Sequence, residues 1–247
     1  MRSSGERRID LNADVGEGPG EEPLYALISS ANIACGGHTG TEATMREAVS
    51  HAMRHGVAIG AHPSYPDRSG FGRVSKSMTP DGLSRTIVEQ IEALARVARA
   101  LGAEVTHVKP HGALYNDAAA QREVATAVGE GVLAISSDLV LVGLAGSTAL
   151  GVWRDLGLRV AAEGFADRAY DARGQLRPRT QSGSLIVDPA IAAVQAVRLA
   201  REGCETVCVH ADTKGALLIL DAVRRALEAA GYAIVSRDRR GGESGPA

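Results

Sequence analysis

Short apolar runs and stretches of helical periodicity take turns along almost the whole chain. That alternation predicts a largely parallel sheet built of βα units, because parallel strands need crossovers long enough to hold a helix. The strand candidates are RIDLN (8–12), ANIAC (31–35), VAIGA (57–61), VTHVK (105–109), LVLVGL (139–144), RVAAE (159–163) and TVCVH (206–210), with SLIV (184–187) and YAIV (232–235) weaker. Seven or eight such units favour a closed α/β barrel over an open sheet.

Two intervening helices are well signed. Thr39 and Glu42 form a possible capping box before the buried stripe of Met45, Ala48, Val49, Ala52 and Met53, and Gly56 stops that helix. Thr79 and Pro80 open the next, Leu83, Ile87, Ile91, Leu94 and Ala98 give its stripe, and Gly102 ends it. With 247 residues, the chain is expected to be one barrel domain over 1–247, its core spanning about 9–235 and both ends disordered.

Three strands carry polar side chains at every second position: Asp10, Asn12 and Asp14; His107, Lys109 and His111; Cys208, His210 and Asp212. Alternate strand residues share a face. Charges turned toward a helical shell would be buried unpaired at high cost, so these faces are expected to point into the barrel. His38, His62, Glu163 and Asp167 follow other strands, at the carboxyl ends where barrel enzymes collect their chemistry. His107 reads as a core histidine, while Lys109 and His111 lie nearer the mouth. Asp14, His38 and His62 suit a metal triad, although loop-turn residues bonded to backbone look the same in sequence. His51 and His55, four apart on a helix, are expected on a solvated surface.

Two loops are longer than βα connections require. Residues 61–81 supply Arg68 and Arg73, and residues 165–183 supply Asp167, Arg168 and Arg179; these arginines either clamp a carboxylate or pin their own loops. Neither GxxxxGK[ST] nor GxGxxG follows any strand candidate, so a nucleotide site of those types is not expected. A net charge of -2 without a basic stripe argues against a nucleic-acid partner. Three cysteines with no metal-type spacing, and no apolar run long enough to span a bilayer, point to a soluble cytoplasmic protein without membrane attachment.

The segments IDLNADVGEG, SANIACGGHTG, GAHPSYPDRSGFGR, HVKPHGALYN, GLAGS, FADRAYDARGQLRPR and VCVHADT, in that order from about Ile9 to Val235, resemble the signatures of the LamB/YcsF family, A subunits of bacterial ATP-dependent 5-oxoprolinase. Gly37, Ser64 and Ala211 depart from the family pattern and put fine substrate contacts in question. The resemblance implies an irregular seven-stranded (β/α) barrel similar to glycoside hydrolases and polysaccharide deacetylases. It also implies opening of 5-oxo-L-proline to L-glutamate coupled to ATP hydrolysis, with B and C subunits as partners and ATP as co-substrate of the complex. On that basis Asp14 or Asp212 is the candidate base and Lys109 the candidate oxyanion stabiliser. His38, His62 and His111 bind substrate or relay protons, and Asn12, Arg68, Arg73, Asp167 and Arg168 complete the binding set. A metal-dependent amide hydrolase acting alone, with a divalent ion on Asp14, His38 and His62, is the alternative enzyme. A non-catalytic ligand-binding subunit is the alternative outside catalysis.

Overall fold

The computed structural model describes residues 7–171 and 174–236. Both chain ends expected to lack order fall outside these residues. Strand β1 (Arg7–Val15) leads through a short 3-10 helix (Glu22–Ala26) to β2 (Ser30–Ala34). Then follow α1 (Glu42–His55), β3 (Ala58–His62), α2 (Pro80–Ala100), β4 (Val105–Val108), and the helices α3 (Gly112–Ala120) and α4 (Arg122–Ile135). The chain continues through β5 (Val140–Leu144), α5 (Thr148–Asp155), β6 (Arg159–Phe165), α6 (Pro189–Arg201), β7 (Thr206–Cys208), α7 (Ala216–Ala229) and β8 (Tyr232–Ile234).

Strands β1 to β7 pair in parallel and close into a ring, with β1 bonded to both β2 and β7. This is the (β/α)7 barrel, and its irregularity lies at β1. Residues Asn12 to Val15 of that strand pair with β2, Asp10 to Asn12 with β7, and Arg7 to Ile9 peel away to pair with β8 outside the ring. The apolar half of the β1 alternation (Ile9, Leu11, Ala13, Val15) joins the core between strands and helices, while Asp10, Asn12 and Asp14 are buried on the other face. Facing them inside the barrel, Val140, Val142 and Ala161 form a separate small apolar cluster.

Four local expectations need correction, the first being Met53, which is exposed instead of completing the buried stripe of α1. The α1 N-cap is Thr41, not Thr39: Thr41 and Thr44 cap each other's backbone N–H, while Glu42 is the first helical residue and cannot reach back. Segment 184–187 is no ring strand; it lies in the long β6–α6 connection, where Ile186 donates to the carbonyl of Asp167 and Leu185 bridges to Arg168. His51 is buried rather than solvated. It stacks on Tyr25 with ring centroids 5.4 Å apart, and its Nδ1 lies 2.6 Å from an Arg54 nitrogen and 3.3 Å from Glu22. His55 is exposed, as expected. Thr79 caps α2 and Gly56 ends α1 in the left-handed conformation, both as read from sequence. Among the described residues no helix is long and apolar enough to cross a membrane.

Candidate active site

At the base of the barrel, Asp10 accepts hydrogen bonds from Ser29 (2.6 Å), Ser30 (2.7 Å) and Thr206 (2.5 Å). These hydroxyls tie β1 to the start of β2 and to β7, so the carboxylate acts as a knot. His107 lies beside it with Nε2 3.1 Å from Asn32 Oδ1. A Cβ on Gly60 would stand 2.1 Å from that same nitrogen, so the imidazole occupies the space a side chain on β3 would need.

Above this level Lys109 is enclosed. Its Nζ reaches Glu163 Oε1 (2.8 Å), Asp14 Oδ1 (3.0 Å), Cys208 Sγ (3.1 Å) and Asn12 Oδ1 (3.3 Å). Burial opposes its charge, but Asp14 and the other acceptors outweigh burial and hold the ammonium well above its ordinary range. Asn12 donates to Glu163 and Thr206 and accepts from Asn32, so its amide is committed inside the barrel. Asp14 is buried too, yet His62 and Lys109 hold its carboxyl well below the usual carboxylate range.

The mouth tier holds three histidines and a residue that strand periodicity did not mark. Glu17 follows Gly16, whose φ of 73° turns the chain just past the end of β1. The Glu21 carboxylate accepts the backbone N–H groups of Gly16, Glu17 and Gly18, fixing that turn. Glu17 Oε1 then lies 2.8 Å from His38 Nε2, 3.3 Å from His111 Nδ1 and 3.8 Å from His62 Nε2. His38 and His111 stack face to face, centroids 3.6 Å apart and planes 3° from parallel. His62 Nε2 is 3.0 Å from His111 Nδ1 and 3.4 Å from Asp14 Oδ2.

Two backbone carbonyls set the tautomers. His62 Nδ1 lies 2.7 Å from the carbonyl of Lys109, and His111 Nε2 lies 3.0 Å from that of Phe71, so each of these nitrogens carries the hydrogen. Phe71 has a positive φ of 53°, and Gly72 beside it packs so closely that a Cβ would stand 2.9 Å from both His111 and His38. Burial, reinforced by His62, lowers His38 and His111 to about 3, so both are neutral imidazoles. His62 goes the other way: burial is outweighed by Asp14 and Glu17, and its pKa is raised. Burial also pushes the Glu17 carboxyl up.

The remaining candidates stand at the rim. Asp212 lies beyond the end of β7, with its Oδ2 2.5 Å from Arg73 and 2.9 Å from Arg179. It therefore joins the two long loops instead of lining the inner barrel. Arg68 donates to the carbonyls of Gly36 and Gly40 and pins one loop to another. Arg168 donates to the carbonyl of Arg177, while buried Asp167 accepts from Thr213 (2.6 Å) and from the backbone N–H of His210. The departures Gly37 and Ser64 meet in space, since a Cβ on Gly37 would stand 2.4 Å from Ser64 Oγ.

Of the sequence candidates, Asp14, His38, His62, Lys109 and His111 thus converge on one axis, whereas Asp212, Arg68, Arg73, Asp167 and Arg168 surround it. Glu17 and Glu21 are the additions. Their signal was present as DVGEGPGEE, a glycine-rich turn carrying acids just past the carboxyl end of the first strand.

The profile of the LamB/YcsF family matches residues 9–240. The chain is 47% identical over 245 residues to the 5-oxoprolinase A subunit of Chloroflexus aggregans, covering 92% of this chain and 97% of that protein. It is 45% identical to the 5-oxoprolinase A subunit of Bordetella pertussis over the same shares of each chain. The crystal structure of a lactam utilization protein from Thermus thermophilus superposes with a TM-score of 0.86 at 41% identity, covering 92% of this chain and 99% of that one.

Proposed function

This chain belongs to the LamB/YcsF family, and from that membership we propose that it is the A subunit of an ATP-dependent 5-oxoprolinase, opening the lactam of 5-oxo-L-proline to give L-glutamate. The observation that carries the reading is the His62 and Asp14 pair at the barrel mouth, ringed by arginines suited to a small carboxylate substrate. An unactivated five-membered amide is a poor electrophile. The chain has no recognisable phosphate loop, so activation falls to the B and C partners, which would transfer the terminal phosphoryl group of ATP to the amide oxygen. The barrel then hydrolyses the activated ring.

In this scheme Arg73 and Arg179 receive the substrate carboxylate in place of Asp212. His62 Nε2 takes a proton from the attacking water as oxygen bonds to the ring carbon. Asp14, 3.4 Å away, stabilises the imidazolium that forms, and the Lys109 carbonyl keeps the other nitrogen protonated throughout. A raised pKa makes His62 a stronger proton acceptor than a free imidazole. The imidazolium returns its proton to the ring nitrogen as the carbon–nitrogen bond breaks, which leaves γ-glutamyl phosphate, and a second water then displaces inorganic phosphate to give glutamate. Lys109 acts from below by holding Asp14 in place.

The test is production of ADP and glutamate from 5-oxoproline by the purified chain, alone and with its B and C partners. Turnover only in the full mixture is expected, with a loss of at least tenfold for His62→Ala, about 1.4 kcal/mol of transition-state stabilisation. Comparable turnover by the chain alone, or by the full mixture lacking the chain, overturns the division of labour.

A further inference from the structure

We propose that Glu17 Oε1, His38 Nε2 and His111 Nδ1 together hold one divalent transition-metal ion at the barrel mouth. These three atoms all lie within 4.8 Å of one another, and the carboxylate oxygen is 2.8 Å from one nitrogen and 3.3 Å from the other. An ion with bonds of about 2.0–2.2 Å places neighbouring donors roughly 3–3.5 Å apart, close to the two carboxylate–nitrogen distances.

The tautomers support the same conclusion. His111 commits its Nε2 hydrogen to the carbonyl of Phe71, leaving the Nδ1 lone pair directed at Glu17. A backbone carbonyl on the remote nitrogen is the usual outer support of a metal-bound histidine. His38 stacks face to face on His111, so one ring has to tilt out of the parallel arrangement for both in-plane lone pairs to meet at the ion. His62 Nδ1 is likewise committed to a carbonyl, and His62 Nε2 lies 3.0 Å from His111 Nδ1, beside the nitrogen that would hold the ion. Two imidazoles and one carboxylate form a donor set for zinc, cobalt, manganese or iron, and three protein ligands leave a position open for water. His62 Nε2 is then placed to accept a proton from that water, which deepens the role given to it above.

The set differs from the triad read in sequence, because Asp14 is already engaged by Lys109. The same ammonium disqualifies the neighbouring group of Asp14, Cys208 and His210. It lies 3.1 Å from Cys208 Sγ and 3.0 Å from Asp14 Oδ1, where it takes the place of a metal ion.

The experiment uses the full untagged chain, stripped with a chelator and dialysed against Co²⁺ or Zn²⁺, with no nucleotide, 5-oxoproline or partner present. One ion per chain is expected, together with Co²⁺ visible absorption bands. Glu17→Gln and His111→Gln should each weaken binding at least tenfold, whereas exposed His55→Ala should not. For the wild type, Zn²⁺ should shift the ring-nitrogen resonances of His38 and His111, a readout that does not depend on any variant folding. Absence of stoichiometric binding, unshifted resonances, or folded variants that bind like wild type overturns the site. Because no turnover is measured, failure here is distinct from failure of the 5-oxoprolinase reading.

Discussion

Lys109 Nζ stands 3.0 Å from Asp14 Oδ1 and 2.8 Å from Glu163 Oε1, with all three side chains almost fully enclosed. Removing the cation leaves two carboxylates buried against each other. Lys109→Met should therefore lose about 3–5 kcal/mol in denaturant melts, as breaking buried pairs does. Lys109→Arg should recover part of the loss, since a planar fork replaces a compact ammonium poorly in a packed barrel. A Met variant that melts like wild type but turns over poorly would return Lys109 to the role of oxyanion stabiliser.

Arg179 shares Asp212 with Arg73 at the rim. If the two guanidinium groups receive the substrate carboxylate, Arg179→Ala should raise KM about tenfold and leave kcat nearly unchanged, because the contact is made equally in ground and transition states. Steady-state kinetics of the complete enzyme decide this. A fall in kcat with constant KM would place Arg179 in the chemistry.

Gly60 and His107 compete for one volume in the lower barrel. Gly60→Ala should cost about 1–3 kcal/mol by overpacking, and adding His107→Ala should return part of it. A double-mutant cycle in urea measures the coupling. Purely additive losses would mean that the methyl group is resisted by something other than the imidazole.

Asp167 gives a dependence on pH with a definite sign. Burial raises its pKa, but His210 and Thr213 outweigh burial and leave the folded value below the ordinary one. The unfolded carboxyl titrates at about 3.9, so the stabilisation is complete above that pH and disappears as pH falls through the folded value. Thermal melts of wild type and Asp167→Asn should differ most near neutrality and converge in acid. Parallel curves down to the acid limit would show that the carboxylate charge contributes nothing.

How far the site could be read depended on periodicity. Along β1, the alternation of Ile9, Leu11, Ala13 and Val15 with Asp10, Asn12 and Asp14 is strict, and each set lies on its own side of the strand. The same logic was carried too far at the late strand. β7 ends at Cys208, so Asp212 no longer shares an inner face and instead meets Arg73 and Arg179. Glu17 was missed because a turn has no period, and its position depends on Gly16 and on Glu21 gathering the local N–H groups. His51 was misread because its cover comes from Tyr25, a contact between segments that helical spacing alone cannot show.

The pairing of β8 with the start of β1 brings Arg7 beside Tyr232, and the arginine both covers the tyrosine ring and donates to the carbonyl of Ala230. The described chain thus returns to within a hydrogen bond of its own beginning. In connectivity the barrel is a circle cut at one point outside its wall. A permuted gene that joins the two ends and reopens the chain in an exposed loop would keep every strand pair of the ring, so the choice of first strand is not a requirement of the fold.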